Sequence, residues 1–225
     1  MPSKNSLKTY VKHGFYHIYN RGVEKRVIFE DQQDYKVFLS YLKEVLLPPD
    51  LNMQKITINL RGQSYEVLKA PLKNFNGEID FVAYCLMSNH FHFLVRQKSE
   101  FSMQGFMRAL MTRYSMYFNK KYDRVGSLFQ GRYKAVLVNE ETYLLHLSRY
   151  IHLNPSENYK DLTQAYSSYA EYLGIRNTLW IKPESILTYF NNAILPDFKK
   201  INSYKDFVEN YNIDSSEVLG DLTLD

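Results

Sequence analysis

The sequence predicts an α+β protein in which helices pack on an antiparallel β-sheet. Three segments have apolar residues at helical spacing, and the runs between them alternate between apolar and polar residues as strands do. These segments follow one another in the order β-α-(ββ)-β-β-α-β-α. Neighbouring strands are joined by connections short enough for hairpins, which link antiparallel strands. Strands and helices mixed in this way are typical of an antiparallel sheet covered by helices.

The first strand and the first helix have clear local signals. The run FYHIYNRG predicts a strand over residues 15–22 that ends at a glycine. Asp31 is a suitable N-cap for the next helix, since its carboxylate can accept a hydrogen bond from the first turn. The prolines in LPPD, residues 47–50, end this helix. Residues at helical spacing form its predicted buried stripe: Tyr35, Phe38, Leu39, Leu42 and Leu46.

Two hairpins are predicted in the middle of the chain. KITINL and SYEVLK alternate on either side of an RGQ turn, within the segment 47–79. DFVAYCLM and HFHFLVRQ are two further strands, and only Ser88 and Asn89 separate them. A two-residue connection of this kind predicts a tight antiparallel pair.

A basic helix and a polar strand are predicted next. Residues 103–119 have helical periodicity, and GSLFQGRYKAVLV, residues 126–138, has the alternation of an extended strand. Because side chains alternate across a strand, Gln130, Arg132 and Lys134 are predicted to share one side. The opposite side is predicted to carry Phe129, Tyr133 and Leu137.

The last predicted helix of the main domain precedes an acidic tail. Asn139 is its predicted N-cap, and the helix EETYLLHLSRYIHLN ends before Pro155. Short helices are predicted beyond it, and residues 206–225, with six acids and no base, are predicted to be partly disordered. We therefore divide the chain into a main domain, residues 1–155, and an acidic helical C-terminal extension, residues 156–225.

The positive charge of the chain is concentrated in the main domain. The whole chain carries +4 at pH 7, whereas residues 156–225 have 11 acidic and 6 basic side chains. Residues 1–155 therefore carry +9, and residues 103–134 have seven basic side chains against the single Asp123. Such a surface predicts a polyanionic partner, of which nucleic acid is the commonest. An ordinary solvated face is the alternative that charge alone leaves open.

The sequence predicts a cytoplasmic protein. The single cysteine, Cys85, lies in an apolar run, which excludes a disulfide framework. No run reaches the roughly 18 uncharged apolar residues that a membrane span needs. The N-terminal residues MPSKNSLKTY lack the apolar core of a signal peptide. With nucleic acid as its partner, the protein would be associated with the nucleoid.

The stretch CLMSNHFHFLV contains a pair of histidines on a predicted strand. His90 and His92 point to one face because side chains alternate, while Phe91 and Phe93 point to the other face and can fill the core. Two adjacent imidazoles are suited to a divalent metal, although two ligands hold a metal weakly. Two half-exposed histidines without a metal are the alternative.

The last helix of the main domain supplies candidate partners for this pair. His146, Tyr150 and Asn154 follow one another at intervals of four residues, so they share one stripe. A neighbouring apolar stripe consists of Leu144, Leu147 and Ile151. If the apolar stripe packs on the sheet, the polar stripe flanks the two histidines and brings an imidazole, a phenol and an amide to them.

A tyrosine beside a metal has a specific chemical use. A phenolate can attack a phosphodiester and leave DNA joined covalently to the protein. A free phenol has a pKa of about 10, so it needs assistance at neutral pH. A metal would polarise the scissile phosphate and stabilise the charge that develops on it. The chain has no GxxxxGK[ST] phosphate loop, in keeping with joining that needs no ATP. A surface tyrosine is the alternative.

Four blocks in this order resemble a known family: YHIYNRGVEKRVIF, YCLMSNHFHFLV, GSLFQGRYKA and RYIHLNP. They are similar to the single-tyrosine HUH transposases (IS200-like), and in particular to the REP-associated tyrosine transposases. The resemblance covers residues 13–155. It implies a ferredoxin-like (RRM-like) antiparallel sheet with helices on one face, followed here by the helical extension. It also implies metal-dependent cleavage and joining of single-stranded DNA beside a hairpin.

The resemblance implies roles for particular residues. His90 and His92 would be metal ligands, and Asn154 matches the position of a third polar ligand. Tyr150 would be the nucleophile that forms a 5′-phosphotyrosine intermediate. The metal would be Mg²⁺ or Mn²⁺, with weak binding expected because Mg²⁺ prefers oxygen ligands to imidazole. His146, one turn before Tyr150, is a secondary candidate ligand.

Candidate DNA contacts come from the basic and polar residues of the four blocks and of the basic helix. They are Arg21, Arg108, Arg113, Gln130, Arg132, Lys134 and Arg149. Side chains of these types bind phosphate, although each is also common on ordinary surfaces. Two departures from the family pattern are Ser88, where relatives often have proline, and the hairpin insertion at 47–79, which is longer than in compact members.

Three other functions remain open from the sequence. A domesticated member could bind hairpin DNA or RNA without cutting it, and a relaxase or replication-initiator nickase would use the same chemistry. A zinc hydrolase is disfavoured, since no good third zinc ligand is near the histidine pair. Compact relatives can form dimers that exchange the tyrosine helix, but the C-terminal extension could fix that helix within one chain. We therefore expect a monomer, single-stranded or hairpin DNA as its partner, and no contact with a membrane.

Overall fold

Six strands form two antiparallel sheets in a computed structural model, which describes residues 9–49, 55–60, 63–68, 73–191, 201 and 203–220. The strands are β1 (Phe15–Arg21), β2 (Lys55–Leu60), β3 (Gln63–Leu68), β4 (Ile79–Met87), β5 (His90–Gln97) and β6 (Lys134–Val138). The main sheet has the order β4-β5-β1-β6, and all its pairings are antiparallel. The hairpin β2-β3 is the second sheet, inside the insertion at 47–79. The predicted α+β class with an antiparallel sheet is confirmed.

Seven α-helices accompany the sheets in the described part of the chain. They are α1 (Gln32–Leu46), α2 (Ser102–Lys121), α3 (Glu141–Leu153), α4 (Tyr169–Tyr172), α5 (Glu184–Asn191), α6 (Tyr204–Asn210) and α7 (Ser215–Leu219). The predicted N-cap of α1 is confirmed, because the Asp31 carboxylate accepts from the backbone N–H of Asp34 at 3.1 Å. The last four helices confirm the predicted helical character of the extension. Partial disorder was predicted for residues 206–225, but residues 206–220 contain most of α6 and all of α7. The rest of that segment, residues 221–225, lies outside the described residues.

One face of the main sheet packs on α1 and α2. Phe91 and Phe93 point to this face from β5, and Phe38 of α1 and Tyr114 of α2 meet them in a core that excludes solvent. These four side chains are fully buried. Burial of each ring contributes roughly 2 kcal/mol to stability relative to exposure. This core therefore determines which residues of β5 face α1 and α2. The alternate residues of β5 must therefore face the other side of the sheet.

The opposite face of the sheet is covered by α3 together with the C-terminal extension. Leu144, Leu147 and Ile151 of α3 are buried against sheet residues that include Leu94. Phe207 of α6 belongs to the same core cluster. The apolar stripe of α3 thus packs on the sheet as the sequence predicts, and the extension shares a core with the main domain.

The segment before β6 departs from the predicted strand. The strand begins at Lys134, whereas residues 126–133 form turns and an isolated bridge between Phe129 and Gly22. Gly131 has φ +73, a left-handed conformation that interrupts the alternation of side chains. Gln130, Arg132 and Lys134 therefore do not share one side, and that prediction was wrong. The N-cap of α3 is Glu140 and not Asn139.

Candidate active site

The two histidines of β5 lie side by side on the face that α3 covers. Strand pairing places His90 opposite Arg21 of β1 and His92 opposite Tyr19. The imidazole centroids are 5.0 Å apart, and the rings are nearly perpendicular. The sheet therefore holds both imidazoles beside one another at the position predicted from the HxH spacing.

The imidazole of His92 is buried, and its two ring nitrogens differ in their hydrogen bonding. Its Nδ1 lies 2.9 Å from Nε2 of His17, whereas its Nε2 is buried without a hydrogen-bond partner among the residues that the structure describes. Burial lowers the pKa of His92 well below its usual 6.5, and the adjacent His17 and His90 lower it further. The side chain is therefore neutral at pH 7, which is the form that binds metals.

His90 is half-buried between two asparagine side chains. Its Nδ1 lies 2.6 Å from Oδ1 of Asn89, and its Nε2 lies 3.2 Å from Oδ1 of Asn154. A neutral imidazole carries one N–H. If Nδ1 donates to Asn89, the Nε2 lone pair and the Asn154 oxygen face each other, an arrangement that a bound cation would satisfy.

Tyr150 is carried over the histidines by α3. Its ring is perpendicular to that of His92, with the centroids 5.4 Å apart, and it also contacts His17 with a centroid separation of 6.2 Å. The side chain is half-buried, so part of it faces solvent. Asn154, one turn later, makes the contact with His90. The structure thus brings together four of the predicted site residues.

His146 lies away from this group, which corrects its prediction as a ligand. Its Nδ1 lies 3.1 Å from the hydroxyl of Ser215, and its ring packs on Phe207 and Tyr211. A spacing of four residues turns by about 40° around a helix, so two such steps separate His146 from Asn154 by about 80°. That rotation places His146 under the extension.

The predicted contact of Arg149 with DNA is also corrected. Its side chain is buried, and its guanidinium donates to the backbone carbonyls of Phe207, Val208, Tyr211 and Ile213 and to the Ser215 hydroxyl. These carbonyls lie at and beyond the end of α6, where a cation is favourable. Arg149 therefore joins the tyrosine helix to the extension.

His152 makes a second connection of this kind. It is fully buried, with Nδ1 2.7 Å from the hydroxyl of Tyr204 and Nε2 2.8 Å from the hydroxyl of Ser168. Burial lowers its pKa to about 3. The two buried polar side chains on either side of Tyr150 in sequence thus hold α3 against the extension of the same chain.

The residues that could hold a metal are two imidazoles and an amide oxygen. The atoms are Nε2 of His90, Nε2 of His92 and Oδ1 of Asn154, and the unpartnered buried nitrogen of His92 fits this role. Within the described ranges, no group of three or more histidine, cysteine, aspartate or glutamate side chains could hold a metal ion. The donor set therefore differs from that of zinc hydrolases and leaves positions for water and substrate oxygens.

Polar and basic residues border the histidines on β1 and β6. Arg21, which pairs opposite His90, donates from Nε to the side-chain oxygen of Gln130 at 2.5 Å. Lys134 is half-buried and pairs opposite Tyr19 at the start of β6. Three of the predicted DNA contacts thus lie on strands or turns next to the site.

Two other predicted DNA contacts lie elsewhere. Arg108 of α2 and Arg132 are exposed and line a cavity of about 350 Å³ together with Tyr10 and Tyr133. Tyr133 belongs to the core cluster of the α1–α2 face, so this cavity is separate from the histidines. Its two arginines and two phenols are suited to a phosphate or a base.

Arg113 is engaged within the protein. It forms an ion pair with Glu44 at 2.6 Å, and its guanidinium lies 3.8 Å from the centroid of the Tyr41 ring. We therefore leave Arg113 out of the proposed DNA contacts.

His17 is a residue of the site that the sequence did not single out. It lies two positions before Tyr19 in the alternating strand FYHIYN, so period-2 alternation places it on the face of the histidine pair. That signal was present in the sequence. Its contact with His92, however, depends on the register of β1 against β5, which the sequence does not specify.

Part of the chain matches a known protein family. Residues 51–154 match the model of a family described as "Transposase IS200 like". The matched region includes the histidine pair, Tyr150 and Asn154. The match agrees with the IS200-like resemblance drawn from the sequence, and the three later blocks of that resemblance lie in or overlap the matched region.

Solved structures also match the chain. One, described as "Structure of the REP associates tyrosine transposase bound to a REP hairpin", covers 78% of this chain and 95% of its own, with 10% sequence identity and a TM-score of 0.47. Comparison with curated proteins gives no match. In the described part of the chain, no helix is long and apolar enough to cross a membrane.

Proposed function

We propose that this protein is a metal-dependent single-stranded DNA endonuclease and strand transferase, a transposase that attacks DNA beside a hairpin through Tyr150. The observation that carries the proposal is the position of the Tyr150 ring, perpendicular to His92 and 5.4 Å from it between centroids. Asn154 meets His90 from the same helix at 3.2 Å. The family match over residues 51–154 supports the same conclusion.

Tyr150 would act as a nucleophile on phosphorus. Its phenolic oxygen forms a bond to the phosphorus of the scissile phosphodiester, and the bond from phosphorus to the 3′ oxygen breaks. The phenol releases its proton, and the departing 3′ oxygen takes up a proton. The product strand remains attached to Tyr150 as a 5′-phosphotyrosine. A second 3′ hydroxyl can reverse the step and join the strand elsewhere without ATP.

His90, His92 and Asn154 would hold the divalent metal. The neutral, buried imidazole of His92 and the half-buried His90 present nitrogen ligands, and Asn154 presents an oxygen. Mg²⁺ or Mn²⁺ supplies Lewis-acid stabilisation of charge on the attacked phosphate when bound. Mn²⁺ is the better match to imidazole ligands, so we expect it to bind more tightly than Mg²⁺.

The residues beside the histidines would position the DNA. Arg21 is a cation on β1, which pairs with β5, and Lys134 is a cation on β6, the next strand beyond β1. Gln130 holds the Arg21 side chain by a hydrogen bond. Positive side chains at this edge would neutralise phosphates of a single strand as it enters the site. Arg108 and Arg132 would form a second contact region on the α1–α2 face, suited to another part of the hairpin substrate.

The active site would be completed within one chain. Arg149 and His152 hold the tyrosine helix to the extension through the buried contacts described above. The extension is itself bonded to β4, because the Tyr172 hydroxyl donates to the Val82 carbonyl and the Ser168 hydroxyl accepts from the Tyr84 N–H. Exchange of α3 between two chains would therefore break its contacts with the extension or those of the extension with the sheet. The proposed active form is therefore a monomer.

A DNA adduct assay tests the proposal. The protein is incubated with labelled single-stranded DNA that carries a palindromic hairpin, with Mn²⁺ or Mg²⁺, and the products are separated on a denaturing gel. We expect a protein–DNA adduct for the unmodified protein and none for Tyr150→Phe or His90→Ala. Tyr143→Phe, the same change on the same helix, is the matched control and is expected to form the adduct.

Other outcomes would point to other functions. Metal-dependent cleavage that persists in Tyr150→Phe would remove Tyr150 as the nucleophile and indicate hydrolysis. Binding without cleavage across a set of hairpins would favour a protein that recognises hairpin nucleic acid without cutting it.

A further inference from the structure

A third histidine lies directly behind the proposed metal ligand His92. His17 is on β1, the strand that pairs with β5, and its Nε2 is 2.9 Å from Nδ1 of His92. Both imidazoles are fully buried, and the rings are stacked at 19° with centroids 5.2 Å apart. The other ring nitrogen of His92, Nε2, has no hydrogen-bond partner within the described part of the chain.

These contacts select one of the two neutral tautomers of His92. If its proton were on Nε2, a buried N–H would lack an acceptor, which is costly, and the nitrogen could not bind a cation. If its proton is on Nδ1, the N–H donates to Nε2 of His17 and the donor is satisfied. The Nε2 lone pair of His92 is then free to bind a metal.

We propose that His17 is a positioning residue for the metal site. It accepts the hydrogen bond from Nδ1–H of His92 and so fixes the tautomer and the ring orientation in which His92 Nε2 binds the cation. This inference rests on the proposed function, in which His92 is a ligand. Acceptors behind ligating histidines typically change metal affinity by roughly 10- to 100-fold.

Two variants of His17 separate the hydrogen bond from the packing. His17→Phe keeps an aromatic ring next to His92 and Tyr150 but removes the acceptor. His17→Gln restores an acceptor through its side-chain oxygen. Binding of labelled hairpin DNA in EDTA and the thermal midpoint of each variant show whether the fold is intact, and neither measurement depends on the metal.

The first readout is the affinity for Mn²⁺ without DNA, measured by electron paramagnetic resonance. We expect His17→Phe to weaken binding by about 10- to 100-fold, and His17→Gln to recover most of that loss. Equal affinity for the unmodified protein and His17→Phe would overturn the proposal, provided that His90→Ala abolishes binding in parallel.

The second readout is the protonation pattern of the His92 ring, measured by NMR on protein with ¹⁵N-labelled histidine and no metal. We expect the proton on Nδ1 in the unmodified protein and in His17→Gln, and a shift towards Nε2 in His17→Phe. A His92 that carries its proton on Nε2 in the unmodified protein would overturn the proposal even if metal binding is normal.

The two readouts also separate this inference from the proposed function. If His90→Ala leaves Mn²⁺ affinity unchanged, the metal site of the proposed function fails. The NMR measurement would then still decide whether His17 accepts from His92. If His90→Ala abolishes binding and His17→Phe does not, only the role of His17 fails.

Discussion

The buried imidazole of His152, which connects the tyrosine helix to the C-terminal extension, should make the stability of the protein depend on pH. The imidazole is fully buried, and both of its nitrogens are hydrogen-bonded to hydroxyl groups of the extension, those of Tyr204 and Ser168. Burial lowers its pKa to about 3, whereas an unfolded histidine has a pKa of about 6.5. Between these two values the unfolded state binds a proton that the folded state does not.

The free energy of unfolding must therefore fall as the pH falls below about 6.5. At pH 5, about 1.5 pH units below the pKa of the unfolded state, the unfolded state is protonated at this residue and the folded state is not. The free energy of unfolding is therefore lower by about 2 kcal/mol. No further loss from His152 is expected below about pH 3. His92 and His146, whose pKa values are also lowered by burial, add losses of the same sign.

The variant His152→Gln isolates this contribution. Glutamine can bond to hydroxyl groups but does not titrate, so the variant should lose about 2 kcal/mol less than the unmodified protein between pH 7.5 and pH 5. Urea unfolding followed by circular dichroism at the two pH values measures both losses. If the two proteins lose the same free energy of unfolding, the buried neutral state of His152 is refuted. Because each protein is compared with itself at the two pH values, any change in the free energy of unfolding that the substitution causes at both pH values cancels.

Further predictions concern the buried arginine and the basic strands. Arg149→Met should lower the free energy of unfolding by about 3 kcal/mol, because several buried carbonyls lose their donor. The exposed control Arg108→Met should change the free energy of unfolding by less than about 0.5 kcal/mol, and urea unfolding measures both variants. Equal effects of the two substitutions would refute the buried role of Arg149. Arg21→Ala and Lys134→Ala should each weaken the binding of single-stranded DNA, measured by fluorescence anisotropy. Each should also reduce the slope of log affinity against log salt concentration by the equivalent of about one phosphate contact. Lys36→Ala on α1 is the control, and an equal effect there would show that the contacts are not localised.

The sequence predicted those parts of the structure that depend on local signals. The alternation in β5 fixed the faces of Phe91 and His92, and Asp31 fixed the start of α1. The fold class follows from such signals, because pleat and helical periodicity are properties of neighbouring residues. Side chains that bury their polar groups against distant segments give no local signal of that kind.

Arg149 and His17 illustrate what the sequence could not show. Arg149 is a residue type that often contacts DNA, and it is next to the tyrosine in sequence. Its guanidinium nevertheless donates to backbone carbonyls about 60 residues later in the chain. His17 meets His92 across 75 residues through strand pairing. In the segment before β6, the positive φ of Gly131 reverses the expected side of Arg132. Each difference arises from a tertiary contact or a backbone conformation that periodicity does not encode.

The most direct test of the central claim is to identify the residue that carries the DNA. Adduct formed with hairpin DNA and Mn²⁺ would be digested with nuclease and with trypsin, which cuts after Arg149 and Lys160, and analysed by mass spectrometry. The account predicts a nucleotide on the peptide of residues 150–160, with fragment ions that place it on Tyr150 and not on Tyr159. A nucleotide on any other residue, or cleaved DNA with no attached peptide, would contradict it.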